Sequence, residues 1–126
     1  MPIRLDHMIL LVNDAPTSVE FYTRILGFTD EGQRGPFTTI RVTPDFMLQL
    51  APWSTAGGEH LAFSMSRAEF DAVFDRVRAA GIAYGDTFET VGNMRGPGIA
   101  DGARGETRSL YFLDPSKHLI EIAYYD

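Results

Sequence analysis

Two histidines stand in matching surroundings 53 residues apart, His7 in Asp6-His7-Met8 and His60 in Glu59-His60-Leu61. A carboxylate, Glu121, interrupts the apolar run Leu119-Ile120-Glu121-Ile122-Ala123, and an amide, Gln49, holds the corresponding place in Phe46-Met47-Leu48-Gln49-Leu50-Ala51. A carboxylate inside an apolar strand is tolerated only when it is paired with a cation or hydrogen-bonded. Imidazole and carboxylate together suit divalent metal ions or proton transfer. The chain has no cysteine, which removes disulfides, thiol nucleophiles and iron–sulfur clusters. A metal here is therefore held by His, carboxylate, amide or water.

The elements that position these residues follow from periodicity. Residues 3–13 run apolar and read as a buried strand ending at Asn13-Asp14. A helix follows, with Asp14 or Thr17 as cap, Pro16 in its first turn, an apolar stripe from Val19 to Leu26, and Gly27 as its stop. Strands are expected near 28–33, 37–43 and 46–51, separated by Gly35-Pro36 and Pro44-Asp45. The order then repeats: strand 60–66, helix 67–80 capped by Ser66 and stopped at Gly81, and strands near 82–89, 107–113 and 118–125.

This is βαβββ twice, with module 1 at about 1–55 and module 2 at about 56–126 of one domain. Thr43-Pro44 before Gln49 matches Asp114-Pro115 before Glu121, with one extra turn residue in the second copy. Similar modules place equivalent positions around a pseudo-twofold axis, so the four polar residues are expected to converge. Residues i and i±2 share a strand face. His7 thus goes with Ile9 and Leu11, His60 with Ala62 and Ser64, Gln49 with Met47 and Ala51, and Glu121 with Leu119 and Ala123. The opposite faces, with Leu10, Val12, Phe63, Leu48, Leu50, Ile120 and Ile122, are expected to meet the helices. The fold class predicted is α+β, a curved mixed sheet with a concave pocket inside and helices outside.

At 126 residues the chain has the length of one domain, and 44% hydrophobic with 22% charged residues is ordinary for a globular protein. A net charge of −6 argues against nucleic acid and anionic membranes as partners. Arg95, Arg104 and Arg108 form the local basic cluster, read either as a solvated loop or as a site for an anionic group on a small substrate. The opening apolar run is too short for a membrane span and lacks a cleavage signal, so a cytoplasmic location is expected.

Leu5-Asp6-His7, Phe21-Tyr22, Leu26-Gly27-Phe28, Glu59-His60-Leu61-Ala62-Phe63 and Leu110-Tyr111-Phe112-Leu113-Asp114-Pro115 resemble the vicinal oxygen chelate superfamily over essentially the whole chain. That superfamily includes glyoxalase I, bleomycin-resistance proteins, fosfomycin-modifying enzymes and extradiol dioxygenases. The resemblance implies metal ligands at His7, Gln49, His60 and Glu121, with Glu121 also as catalytic base. It also implies one divalent ion (Fe2+, Mn2+, Ni2+, Co2+ or Zn2+), a homodimer, and a small substrate chelating the metal through vicinal oxygens. Glyoxalase I of the bacterial type resembles two His and two Glu; Gln49 replaces one Glu here and cannot act as a base. The extradiol pattern lacks its upstream His, where Gly102-Ala103-Arg104-Gly105-Glu106 stands, and no potassium- or phosphonate-binding pattern of the fosfomycin enzymes is evident.

The resemblance leaves two functions: a metal-dependent enzyme of dioxygenase or lyase/isomerase type, or a metal-free drug-binding protein of the bleomycin-resistance kind. Intact His7, His60 and Glu121 favour the enzyme. Residues 92–105, with five glycines and no periodicity, are expected to form a long flexible loop serving as a lid that brings Arg95 or Arg104 to the substrate. His118 reads as a surface residue, and Phe37, Trp53, Tyr111 and Tyr124 read either as core or dimer-interface residues or as candidate pocket walls.

Overall fold

Helix starts and strand alternation set the frame of the computed structural model, which describes residues 2–125. Two compact units, 1–57 and 58–126, divide the chain. In the first unit, β1 (His7–Leu11) leads to α1 (Ala15–Arg24), β2 (Thr29–Arg34), β3 (Phe37–Thr43) and β4 (Phe46–Ala51). Asp14 is the helix cap, its carboxylate accepting from the Thr17 backbone N–H at 3.0 Å. The sheet order is β1-β4-β3-β2, with β1 parallel to β4 and the other pairs antiparallel. Leu10, Ile40, Leu48 and Leu50 are fully buried in its core, with Phe21 and Tyr22 of α1.

The second unit repeats the scheme with one strand more, β7: β5 (His60–Ser64), α2 (Arg67–Ala79), β6 (Tyr84–Gly85), β7 (Gly98–Gly102), β8 (Gly105–Leu113) and β9 (Leu119–Tyr125). Ser66 caps α2 by accepting from the Glu69 backbone N–H. The order is β5-β9-β8-β6, with β7 also paired to β8, and β5 and β9 run parallel. Phe70 meets Tyr124 edge-on at 4.9 Å and Phe74 meets Tyr84 at 5.0 Å, closing the helix onto the sheet. The chain is thus α+β, with the strands gathered into two mixed sheets, one per module, rather than a single one.

Three local expectations are corrected. Residues 92–105 are not one open loop: Gly98–Gly102 and the start of β8 form an antiparallel hairpin, Ala100 opposite Thr107. A Cβ on Gly98 would lie 2.4 Å from the Asp86 carbonyl oxygen, and one on Gly102 would lie 2.7 Å from the Tyr125 hydroxyl. These glycines mark close packing, which removes the side-chain alternation that would have revealed the strand. The strand expected over 82–89 is reduced to Tyr84–Gly85, and the first strand to His7–Leu11. No helix among the described residues is long and apolar enough to cross a membrane.

Candidate functional site

In the second unit, β5 and β9 set His60 opposite Leu119 and Ala62 opposite Glu121. His60 and Glu121 are therefore diagonal neighbours on one face, and His60 Nε2 lies 2.9 Å from Glu121 Oε1. Glu121 is only 9% exposed. Its other oxygen, Oε2, accepts a hydrogen bond of 2.9 Å from the fully buried Ser109 hydroxyl. Thr107 Oγ1 stands 2.7 Å behind Ser109 Oγ. An ionised carboxylate only accepts, so Ser109 must donate to it and Thr107 must donate to Ser109. Both oxygens of Glu121 are thus fixed, Oε2 toward the interior and Oε1 toward His60.

Tyr111 lies directly across from Glu121 on β8. Burial, then the negative charge of Glu121 and a hydrogen bond to it, push the phenol above its ordinary range. The hydroxyl stays protonated and remains a donor. Thr107, Ser109 and Tyr111 occupy alternate positions of one strand. That polar alternation is legible in the sequence, although only Tyr111 was expected at the pocket.

The turn before β9 holds His60 in place. Asp114 Oδ1 accepts from the backbone N–H groups of Ser116 and His118, at 2.9 and 2.8 Å. His118, expected at the surface, is 1% exposed. Its Nδ1 accepts from the Glu59 N–H at 3.2 Å, and the Glu59 carbonyl accepts from Leu119 N–H at 2.8 Å. Both backbone groups of the residue before His60 are therefore tied to the start of β9. A buried imidazole acting as a backbone acceptor leaves no trace in periodicity, which is why this role was missed.

His60 and Glu121 open onto a cavity of about 660 Å³ whose walls include Tyr111, Phe88, Ile99 and Arg104. The Arg104 guanidinium carbon lies over the Tyr125 ring, 4.0 Å from its centroid. Arg95 is not among the lining residues; its backbone N–H donates to Asn93 Oδ1 at 2.9 Å. Tyr124 is core, against Phe70, and Trp53 pairs with Phe37 at 5.5 Å in the first unit.

In the first unit, His7 Nδ1 lies 2.8 Å from Asp6 Oδ2. A neutral His7 donates through Nδ1, which leaves Nε2 as an acceptor for a metal or proton. Gln49 sits across from Ile9 on β1 and from Thr39 on β3. His7 and Gln49 line a second cavity of about 390 Å³ together with Arg41. Arg41 is held by Glu31 at 3.0 Å and the Pro44 carbonyl at 2.9 Å, and the Glu31 hydrogen bond raises its already high pKa.

The family model described as the Glyoxalase/Bleomycin resistance protein/Dioxygenase superfamily matches residues 4–122. The chain belongs to this superfamily. It is 31% identical to virulence protein STM3117 of Salmonella typhimurium, over 97% of this chain and 84% of that protein. It is 26% identical to glutathione transferase FosA of Serratia marcescens, over 94% of this chain and 78% of that one. The structure of oxidase ChaP-H2 is similar with a TM-score of 0.83 and 30% identity, covering 100% of this chain and 96% of that one.

The donors of the second unit fit the metal that the superfamily implies. Two cis ligands about 2.1 Å from an octahedral ion stand about 3.0 Å apart, and His60 Nε2 and Glu121 Oε1 are separated by 2.9 Å. Among the described residues no group of three or more His, Cys, Asp or Glu is gathered to hold a metal ion. His60 and Glu121 are brought together, while His7 and Gln49 stand on the strands of the first unit.

Proposed function

We propose that this chain is a divalent-metal-dependent enzyme of the superfamily, of dioxygenase or lyase/isomerase type, acting on a small molecule with two neighbouring oxygens. His60, Glu121 and His7 are its protein ligands, and Gln49 is a weak fourth donor or a hydrogen-bond partner of bound water. The observation that carries this reading is the 2.9 Å approach of His60 to a carboxylate whose other oxygen is fixed by a buried serine. A bound divalent ion supplies Lewis acidity to the substrate oxygens.

The chain's own groups do the rest. Ser109 and Thr107 keep Glu121 oriented before substrate arrives, so no rearrangement opposes the reaction. Glu121 accepts the substrate proton, since the Gln49 amide has no basic site. Tyr111, held neutral, hydrogen-bonds Glu121 and helps keep that carboxylate oriented. The names of two relatives, a glutathione transferase and an oxidase, support an enzymatic role. The reading includes a homodimer, supported by β1 at the edge of its sheet with Ile9 and Leu11 exposed.

Elemental analysis of protein purified without added metal tests this reading, with His60→Ala prepared identically. About one equivalent of iron, manganese, nickel, cobalt or zinc per chain is expected, all of which accept imidazole and carboxylate, and the variant is expected to lose it. No metal in the wild type, and none taken up on addition, overturns the reading in favour of metal-free small-molecule binding.

A further inference from the structure

Strand alternation splits the basic cluster of the sequence. Arg104 lies over the Tyr125 ring, whereas Arg108 stands directly across from Tyr124 on β9. Successive residues of a strand point to opposite faces, so Arg108 is on the face away from Ser109 and Glu121. Tyr124 marks that face as the helix side, since its ring meets Phe70 of α2 edge-on at 4.9 Å. The reaction proposed above makes no use of Arg108.

A second arginine reaches the same tyrosine. Arg67, the exposed first residue of α2, has its guanidinium carbon 5.7 Å from the Tyr124 ring centroid. Side chains directly opposite on antiparallel strands have Cβ atoms about 4.5–5.5 Å apart. Arg108 and Arg67 therefore both border Tyr124, one from the sheet and one from the helix. Neither charge is well met there. Arg67 meets the ring rather than a carboxylate. Arg108 Nη1 is buried without a hydrogen-bond partner, and Glu106 Oε1, the carboxylate paired with it, stands 3.6 Å away on a side chain that is 67% exposed.

A covered guanidinium nitrogen without an acceptor is costly. An acceptor at the open edge of the same guanidinium relieves that cost, and the Arg108 side chain is 33% exposed, which gives a ligand access. One guanidinium fork matches two oxygens of an anion, and a second guanidinium calls for a third oxygen. A phosphate group offers all of these, whereas a carboxylate fills one fork only. The net charge of −6 repels anions from the molecule at large. Binding at this place thus comes from local geometry, and the same charge opposes a polynucleotide or an anionic membrane as the source of the phosphate.

We propose that Arg67 and Arg108 form a site for the phosphate group of a small soluble molecule at Tyr124, on the helix side of the second sheet. Bound there, the anion ties the first turn of α2 to β8, the strand whose other face carries Ser109 and Tyr111. The site stands apart from the metal reading and does not depend on it.

The test follows the Nε–H signals of Arg67 and Arg108 by nitrogen-15 NMR while inorganic phosphate replaces chloride at constant ionic strength. Saturable shifts at both arginines are expected, reproduced by sulfate and weaker with acetate. Arg67→Gln, at an exposed helix start, keeps the fold and lowers phosphate affinity about tenfold. Arg108→Lys keeps the charge but loses the fork, and weakens binding as much. Glu106→Gln removes the competing carboxylate and tightens it. Shifts that never saturate overturn the proposal, as does an equal response to acetate or an affinity that both arginine variants retain. Should Arg108→Lys lower thermal stability, Arg67→Gln alone decides.

Discussion

Ser109 has one proton and gives it to Glu121. Removing the hydroxyl leaves a nearly buried carboxylate oxygen without its donor, which costs about 1–3 kcal/mol. Ser109→Ala should therefore lower stability by that order in chemical denaturation. Loss of such an outer partner weakens metal binding about 10- to 100-fold, so calorimetric titration should show that loss, with Ser109→Thr restoring affinity. Tyr111 carries a second prediction at this scale. Because its phenol is pushed up by burial and then by Glu121, any stability it contributes is present below the ordinary phenol range and lost as pH rises toward its raised value. In an ultraviolet titration, Glu121→Gln should bring the Tyr111 ionisation back down, and Tyr111→Phe should remove it. Glu121 itself was legible in the sequence because a carboxylate in an apolar strand demands an explanation. Ser109 was not, because a serine in a strand does not announce that its partner lies on the next one.

The elements that aim these residues were legible where side-chain period was strong. The strands over 37–43 and 46–51 were read to the residue, and α2 ended one residue earlier than expected. The hairpin of β7 and β8 was hidden because glycine supplies no alternation, and its meaning is reversed by the structure: Gly98 adopts an ordinary φ and is there for space. Gly98→Ala should destabilise the protein by about 1–3 kcal/mol through overpacking. It should also speed hydrogen exchange at the amides paired between Gly98–Gly102 and β8. His118 is the other element-scale control. His118→Phe keeps ring volume but strips the Glu59 N–H of its acceptor. Thermal unfolding should fall, and His60 resonances should broaden or shift while those of α1 do not.

For the whole molecule, two related units with matched histidines were legible because the duplication repeats motifs as well as order, and the second unit carries one strand, β7, beyond the βαβββ pattern. The units diverge where chemistry requires it. Gln49 and Thr39 occupy in the first sheet the places that Glu121 and Tyr111 occupy in the second. One module thus carries the anionic donor and the phenol, and the other an amide and a hydroxyl. Sedimentation should report a dimer, and Leu11→Asp on the exposed face of β1 should shift it toward monomer without unfolding the chain.

The central claim is that His60 and Glu121 hold a divalent ion, and anomalous diffraction from crystals soaked in zinc or manganese tests it most directly. A peak about 2.0–2.2 Å from both His60 Nε2 and Glu121 Oε1 is predicted, with Ser109 still on Glu121 Oε2. A map with no peak there, in crystals where His60 and Glu121 remain in direct contact, would contradict it.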